Sequence, residues 1–168
     1  MKTLRRILRH LWLDAGDARR ALDDAALARL QARVQASEGR HSGEIRVVVE
    51  AALPWSYLWR GLPARARALT MFGRLRVWDT EHNNGVLVYL LLADHAIEII
   101  ADRGLAQAVA QAHWDHVLAG MREAFRQGRF EAGLAGAVEQ VDAMLVRHFP
   151  LAPGQANPNE LPDAPHLG

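Results

Sequence analysis

Residues 86–93 form the longest apolar run in the chain, and the length of this run strongly constrains the fold. A membrane-spanning helix needs about 20 apolar residues, so this run is too short to cross a membrane. A short apolar run between polar residues is typical of a central strand covered on both faces. Asp94 and His95 follow it, and residues 96–102 have the pattern of a second strand. The two segments predict an antiparallel hairpin, although Asp-His is not the preferred turn pair.

An earlier strand is predicted over residues 44–51, where apolar residues alternate with others. A helix is predicted to begin near Pro63, between this strand and the apolar run. A strand–helix–strand unit implies a parallel pair of strands with a right-handed crossover. The residues expected to face the core from these two elements are Ile45, Val47, Val49, Leu69, Phe72 and Leu75.

Three further helices are predicted from apolar periodicity and end signals. They cover residues 24–39 with Asp23 or Asp24 as the N-cap, residues 105–127, and residues 130–148. Residues 54–61, which carry two tryptophans and a tyrosine, are predicted to form a loop. Helices on both sides of the strands predict an α/β fold, a three-layer α/β/α sandwich with a small mixed sheet.

The two ends of the chain differ from its body, which we expect to be one α/β domain over residues 23–149. Residues 150–168 hold five of the seven prolines and are predicted to form an irregular or disordered tail. Residues 1–22 are predicted to hold an amphipathic N-terminal helix with arginines on its polar side. Its apolar stripe consists of Leu4, Ile7, Leu8, Leu11 and Trp12. Two interpretations are open: the stripe packs on its own domain, or it binds an anionic membrane surface.

Composition excludes several classes of function. The chain has no cysteine, which excludes a disulfide scaffold, a thiolate metal site and cysteine catalysis. Lys2 is the single lysine, so a P-loop and Schiff-base chemistry have no residue to use. A formal net charge of +1 predicts no nucleic-acid partner. The N-terminus lacks the apolar region of a signal peptide, so we expect a cytoplasmic location.

Two patterns have both a functional and a structural interpretation. His113 and His116 lie at helical spacing and can bind a transition metal, but no third ligand is recognisable nearby. Residues 56–78 carry five arginines and no acidic residue. Arginines interleaved with aromatic residues can bind phosphate or a nucleic-acid strand. We favour a solvated helix surface in both cases.

Residues 77–85 form the most polar segment of the body and directly precede the apolar strand. The predicted hairpin brings Asp102 back beside Asn84, at the edge that also carries Asp79 and Glu81. Carboxylate and amide oxygens are the ligands that Ca²⁺ and Mg²⁺ prefer. We therefore predict a divalent-cation site at Asp79, Glu81, Asn84 and Asp102. In the alternative interpretation, these residues cap turns and a helix, and Asn84-Gly85 supplies a positive φ.

Four stretches of this sequence, taken together, resemble the TPM domain family. They are residues 43–49 (GEIRVVV), residues 84–88 (NGVLV), residues 93–99 (ADHAIEI) followed by Gly104, and residues 121–134 (MREAFRQGRFEAGL). The likeness covers about residues 43–148. Residues 77–80 and 148–150 resemble a proteobacterial branch described as uncharacterised membrane proteins.

The resemblance implies an α/β/α sandwich and several functional expectations. Some relatives act in the chloroplast lumen during photosystem II repair, with a reported acid phosphatase activity and calcium binding. Bacterial relatives often accompany LemA-type membrane proteins. Many relatives carry a signal peptide and a transmembrane helix, and this sequence shows neither pattern.

The sequence therefore predicts a non-enzymatic TPM-type accessory or interaction domain near the cytoplasmic membrane, with the cation site described above. The alternative is a metal-dependent acid phosphatase that acts on small phosphate esters with the same carboxylates, where a bound metal ion generates the attacking water. The expected location is the cytoplasm or the inner face of the membrane. The expected partners are anionic lipid and a LemA-type or other envelope protein.

Overall fold

The computed structural model describes residues 2–152, 154 and 157–168, without the side chains of residues 2, 3 and 15. Met1 and three residues of the predicted tail, numbers 153, 155 and 156, lie outside the described residues. The helices are α1 (Lys2–Trp12), α2 (Ala15–Ala21), α3 (Asp24–Glu38), α4 (Trp55–Trp59), α5 (Ala64–Arg74), α6 (Arg103–Ala108), α7 (Gln111–Arg126) and α8 (Phe130–His148). The strands are β1 (Ile45–Glu50), β2 (Val86–Leu91), β3 (Ala96–Ala101) and β4 (His166–Leu167).

The four strands form one mixed sheet in the order β3-β2-β1-β4. β1 pairs in parallel with β2, with Ile45 opposite Val86, and β2 pairs antiparallel with β3, with Val86 opposite Ala101. The predicted parallel pair and the predicted hairpin are therefore confirmed. β4 pairs in parallel with the other side of β1, opposite Val48 and Val49. This fourth strand comes from the tail, where no strand was predicted.

Helices cover both faces of the sheet, which confirms the α/β/α sandwich. One face packs on α2, α3, α7 and α8 in a core cluster that includes Leu30, Val88 and Leu134. The other face packs on α4, α5 and the tail in a cluster that includes Met71 and Leu161. Every residue of β1 and β2 is buried, as expected of strands covered on both sides.

Local signals explain where the long helices begin. The side chain of Asp23 accepts a hydrogen bond from the backbone N–H of Ala26 (2.7 Å) and so caps α3 as predicted. The predicted single helix over residues 105–127 is wrong, because the chain forms α6 and α7 with a break at Val109 and Ala110. Both residues have extended backbone, and Val109 is buried at the break.

The segment before the central strand also differs from the prediction. The aromatic residues expected in a loop form the short helix α4. In α5, Phe72 and Leu75 are partly buried and pack against the core cluster, whereas Leu69 is half exposed and the prediction for it is wrong. The most buried stripe of this helix contains Ala64, Ala68 and Met71, which lie at helical spacing.

The N-terminal region contains two helices, α1 and α2, because Asp14 starts a new helix with a capping box. At the other end, residues 157–168, which we call the docked tail, lie against β1. Leu161 and Asp163 of the docked tail are buried, so this segment adds to the core although its composition predicted little burial. No helix in the described part of the chain is long and apolar enough to span a membrane.

Candidate functional sites

The residues predicted to bind a cation lie where β2 begins and β3 ends. The backbone N–H of Asp102 donates to the carbonyl oxygen of Gly85 (2.9 Å), so the hairpin brings Asp102 beside Asn84. Both side chains are buried. Nδ2 of Asn84 donates to Oγ of Ser42 (3.2 Å). Oδ1 of Asn84 and Oδ2 of Asp102 are buried without a hydrogen-bond partner among the described residues.

These two buried side chains do not share one face of the sheet. Because side chains alternate along paired strands, Asn84 continues the face of Val86 and Asp102 continues the face of Ile100. Val86 and Ile100 belong to the two core clusters on opposite faces. Asp102 also caps α6, since its Oδ1 accepts a hydrogen bond from the backbone N–H of Arg103 (2.7 Å).

Asp79 and Glu81 lie on the surface. Oδ2 of Asp79 pairs with Nη2 of Arg76 at 2.7 Å, and the backbone N–H of Glu81 donates to the carboxylate of Glu160 (3.3 Å). Within residues 2–152, 154 and 157–168, no three His, Asp or Glu side chains are arranged to hold a metal ion. The structure thus brings Asn84 and Asp102 to one edge and leaves the other two predicted ligands outside it. Cation binding stays a prediction.

Two glycines set the path of the backbone at this edge. A Cβ on Gly85 would lie 1.9 Å from the carbonyl oxygen of Val77, and a Cβ on Gly104 would lie 2.7 Å from that of Asn83. The positive φ (53°) belongs to Asn83, whereas neither Asn84 nor Gly85 has one. The expectation that Asn84-Gly85 supplies a positive φ is therefore wrong, and Gly85 is needed because another backbone segment approaches it closely.

Most side chains of the two secondary patterns lie at the surface. His113 and His116 are exposed and line separate cavities of about 490 and 250 Å³, while Trp114 between them faces the core. Among the arginines of residues 56–78, Arg67 is buried and the other four are exposed. The solvated-surface interpretation is confirmed for those four.

Asp94, in the loop between β2 and β3, holds the N-terminal helix. Its carboxylate accepts hydrogen bonds from Nη2 of Arg6 (2.8 Å), Nη2 of Arg9 (3.2 Å) and Nε2 of His10 (3.0 Å). Nδ1 of buried His10 accepts from the backbone N–H of Leu53 (2.9 Å), so the ring proton sits on Nε2. Burial alone would raise the pKa of Asp94, but the hydrogen bonds from Arg6 and His10 outweigh it and lower that pKa. α1 therefore docks through its basic side.

This docking leaves most of the apolar side of α1 in solvent. We call these residues the outer stripe: Leu4 (64% exposed), Leu8 (48%), Leu11 (64%) and Trp12 (85%). Only Ile7 of the predicted stripe packs partly against the domain, so packing of the whole stripe on its own domain is wrong. α4 runs beside α1, because His10 contacts Leu53 just before α4 and Arg6 donates to the carbonyl oxygen of Leu62 just after it (2.8 Å).

α4, whose flanking residues contact α1, carries two further exposed aromatic residues. Trp55 is 55% exposed and Trp59 is 78% exposed, and their ring centroids lie 6.3 Å apart. The N-terminal helix and α4 together present three exposed tryptophans on neighbouring elements. Monomeric proteins rarely expose large apolar groups in such a cluster without a binding role.

A buried polar network that the sequence pattern did not predict lies on the second face of the sheet. The carboxylate of Glu50 accepts from Nε of Arg67 (2.9 Å) and from the hydroxyl of Tyr89 (2.6 Å). The hydrogen bond to Glu50 raises the pKa of Arg67, and burial raises the pKa of Tyr89. The network pairs the buried charges and ties α5 to β1 and β2.

Three more buried charged residues were missed, namely Glu38 at the end of α3 and Glu44 and Arg46 beside and within β1. Glu44, Arg46 and Glu50 alternate along the strand, a pattern that predicts a solvent-facing side. The docked tail covers that side instead. Whether this side of β1 faces solvent or is covered depends on the tail, which lies more than 100 residues away in the chain.

Comparisons with known proteins agree with this fold. The family model described as TPM domain, labelled TPM phosphatase, matches residues 16–144. The NMR structure of the BA42 protein from the psychrophilic bacterium Bizionia argentinensis is 27% identical, with a TM-score of 0.76 over 88% of this chain and 95% of that one. The N-terminal domain of a P. gingivalis protein, solved by solution NMR, shares the fold at 21% identity, with a TM-score of 0.63 over 78% of this chain and 82% of that one. No curated protein matches the sequence. Because the family model covers well over half of the sequence, the chain belongs to the TPM domain family.

Proposed function

We propose that this TPM domain is a non-enzymatic accessory module that rests on an anionic membrane through the outer stripe of α1 and the tryptophans of α4. The observation that supports this most directly is the orientation of α1. Its basic side is held by Asp94, and Leu4, Leu8, Leu11 and Trp12 face solvent. An amphipathic helix with Leu and Trp on its outer face is the form in which many peripheral proteins enter the lipid interface.

Energetics favour lipid as the occupant of this surface. Burying one Leu side chain contributes about 1.5–3 kcal/mol, so even partial insertion of several such residues gives measurable binding. Arg5 is exposed on the same helix, and a basic residue near an anionic leaflet adds about 1 kcal/mol. Anionic lipid on the cytoplasmic leaflet would hold the protein at the inner face of the membrane. A LemA-type or other envelope protein would then meet the domain at that surface.

Sedimentation with lipid vesicles tests this proposal. The full-length protein is expected to sediment with vesicles that contain phosphatidylglycerol and less with pure phosphatidylcholine. The double variant Leu11→Gln/Trp12→Gln should bind roughly 10-fold more weakly or worse, because it removes two inserting side chains. The matched control is Trp78→Gln, which removes a 49% exposed tryptophan outside α1 and α4 and should bind as the wild type does.

Three results would overturn the membrane proposal. The first is a wild-type protein that stays in the supernatant with anionic vesicles, and the second is a double variant that binds vesicles as well as the wild type does. The third is self-association through the outer stripe, seen by sedimentation velocity, without lipid binding, which would assign the stripe to contact with a second copy of the chain.

The second candidate is cation-dependent hydrolysis of small phosphate esters. It is supported by the unpartnered buried oxygens of Asn84 and Asp102 and by the label of the matching family model. Because the two oxygens lie on opposite faces of the sheet, each face offers a cation one free protein oxygen, which is too few for Ca²⁺ with its six to eight ligands but is compatible with Mg²⁺, which keeps several waters. A bound cation would supply an activated water at this edge. Asp102 would hold it, since the side chain of Asn84 lies on the opposite face of the sheet.

A thermal melt in EDTA and then in millimolar Mg²⁺ or Ca²⁺ tests the cation site. A cation at about 100 times its dissociation constant adds roughly 2.7 kcal/mol, or a rise of roughly 5–10 °C for a chain of this size. The rise should disappear in Asp102→Ala and persist in Asp115→Ala, an exposed site on α7. If the melting temperature rises, hydrolysis of para-nitrophenyl phosphate is assayed next. If neither ion raises the melting temperature, the function of Asp102 is to cap α6.

A further inference from the structure

The docked tail covers a strand edge that would otherwise be open. In the order β3-β2-β1-β4, β1 is the last strand that the body of the domain provides. The two-residue strand β4 is extended by the bonds from the N–H of Gly168 to the oxygen of Val49 (3.0 Å) and from the N–H of Ala51 to the oxygen of Gly168 (3.2 Å). This pairing uses backbone groups, so any extended segment can make it.

Side chains beside and within β1 form hydrogen bonds with the backbone of the docked tail. Nη1 of Arg46 donates to the carbonyl oxygens of Pro162 and Ala164, the latter at 2.8 Å. Oε1 of Glu44 accepts from the backbone N–H of Glu160 (3.3 Å). These contacts of Arg46 and Glu44 are made with backbone groups of the tail. Two tail side chains also take part, since Nδ2 of Asn157 donates to Oε1 of Glu44 (3.5 Å) and the side chain of Leu161 is buried in the core cluster of α5.

The charges across this contact are badly matched. The domain presents Glu38, Glu44 and Arg46, and the tail presents Glu160 and Asp163, so four carboxylates face one guanidinium. Oε1 of Glu38 and Oε2 of Glu44 are buried and have no hydrogen-bond partner among the described residues. Burying an ionised carboxylate without a partner is unfavourable, and like charges nearby add to the cost.

The titration of the two domain carboxyls reflects the mismatch. Burial first, then the charges of Glu44 and Asp163, raise the pKa of Glu38 to about 8. Burial and the charges of Glu160 and Asp163 raise the pKa of Glu44 to about 7, against the lowering effect of the backbone N–H groups of residues 160 and 161. The tail therefore contacts the domain best when these carboxyls keep their protons.

We propose that the edge of β1 is a docking site for an extended segment of a partner protein, and that the tail fills it in cis as a poorly matched occupant. The segment that fits best has an apolar residue at the place of Leu161 and basic residues at the places of Glu160 and Asp163. Basic side chains there would pair with the unpartnered oxygens of Glu38 and Glu44. Strand addition supplies affinity through the backbone, and complementary charge selects the partner. This site is independent of the membrane contact.

The first experiment changes the tail within the full-length protein. In Glu160→Lys/Asp163→Lys, the backbone N–H groups of Ala51 and Gly168 should exchange with deuterium at least about 10-fold more slowly than in the wild type at pH 7.5, the equivalent of 1.4 kcal/mol or more. Glu160→Lys alone should slow the exchange by a smaller factor. Because Glu160 is exposed, this single variant shows the effect without a substitution at buried Asp163, which could disturb folding. Asp115→Lys/Glu123→Lys on α7 changes the net charge equally and should leave both amides as they are in the wild type.

The second experiment adds the occupant in trans. The probe is a fluorescent peptide of residues 157–168 with lysine in place of Glu160 and Asp163, and the competitor is the unchanged peptide. On the full-length Leu161→Gln variant, whose own tail is loosened, the lysine peptide should bind at least about 10-fold more tightly by anisotropy, and 0.5 M salt should narrow this ratio. Equal affinity of the two peptides, or faster amide exchange in the lysine tail variants than in the α7 control, would overturn the proposal.

Discussion

The N-terminal helix α1 and the docked tail are attached to the same domain in opposite ways. α1 brings Arg6, Arg9 and His10 to one carboxylate, Asp94, and keeps its apolar side in solvent. The docked tail buries its apolar Leu161 and places its own carboxylates against those of the domain. α1 lies before residues 16–144, which match the family model, and the docked tail lies after them.

The difference shows that charge at loops and strand edges decides how an added segment attaches. The apolar stripe of α1 predicts that this side turns inward, yet the contacts of Arg6 and His10 with Asp94 turn most of it to solvent. The proline-rich composition of the tail predicts no attachment, yet Arg46 and Glu44 bind its backbone. One attachment is electrostatically complementary and the other is not. Variants that weaken one attachment and spare the other test this contrast.

Removing the anchor of α1 should have the largest effect. In Asp94→Ala, His10 and Arg6 lose their shared partner inside a partly buried contact, so we expect α1 to dock about 3 kcal/mol more weakly. Trypsin should then cut after the arginines of α1 much faster, as followed by mass spectrometry. The control is Asp115→Ala on α7. Cleavage at the wild-type rate would show that Asp94 does not hold the helix.

Removing the apolar anchor of the docked tail should have the next largest effect. Leu161→Ala deletes a side chain that is 7% exposed, which costs roughly 2 kcal/mol of tail docking. Deuterium exchange at the N–H of Gly168 should accelerate while exchange in β2 stays slow. Leu69→Ala, at a half-exposed leucine of α5, is the matched control and should leave the tail unchanged. Equal effects of the two variants would count against a specific role of Leu161.

A change of pH should weaken the docked tail and spare α1. The pKa of Glu38 is raised from 4.5 to about 8, so its contribution to stability is fully present below pH 4.5 and is lost as the pH rises through 8. The pKa of Asp94 is lowered, so the docking of α1 is stable throughout this window. We expect tail docking to lose on the order of 1 kcal/mol or more between pH 6 and pH 8.5.

The variant Glu38→Gln checks the cause of that pH dependence. Without an ionisable group at this position, the protection of the tail against deuterium exchange, corrected for the intrinsic rate, should fall less steeply with pH. If the protection of the tail in Glu38→Gln has the same pH dependence as in the wild type, another ionisable group causes it.

The smallest effect is expected at the rim of the α1 contact. Arg9 pairs with Asp94 at 3.2 Å, and its side chain is 48% exposed, so the pair contributes about 0.5 kcal/mol or less. Arg9→Ala should leave the thermal melt and the tryptic cleavage of α1 almost unchanged. A loss as large as that in Asp94→Ala would mean that the contact is a single cooperative unit.

Much of the fold could be predicted because its signals are local. The hairpin follows from the length of the apolar run, and α3 follows from a cap at Asp23 and a regular stripe. The break at Val109 could not be predicted, since no proline or glycine marks it and tertiary packing buries this valine. Helix α4 was missed because aromatic residues are poor local helix signals.

The candidate sites were predicted only in part, for physical reasons. The hairpin correctly placed Asp102 beside Asn84, but strand alternation puts their side chains on opposite faces. Glu38 and Glu44 form a cluster only because the tail folds back over them, and no local pattern records that contact. The sequence predicts only a turn at Asp94, because its contacts are with a helix more than 80 residues earlier in the chain.

The uneven exposure of the five tryptophans has a spectroscopic consequence. Trp12, Trp55, Trp59 and Trp78 stand in solvent to about half or more, and Trp114 alone is buried. The intrinsic emission is therefore dominated by polar surroundings, and unfolding should shift its wavelength little. Covering α1 and α4 would move three emitters into an apolar environment at once. For this protein, a blue shift on adding a partner reports coverage of that surface and not compaction of the core.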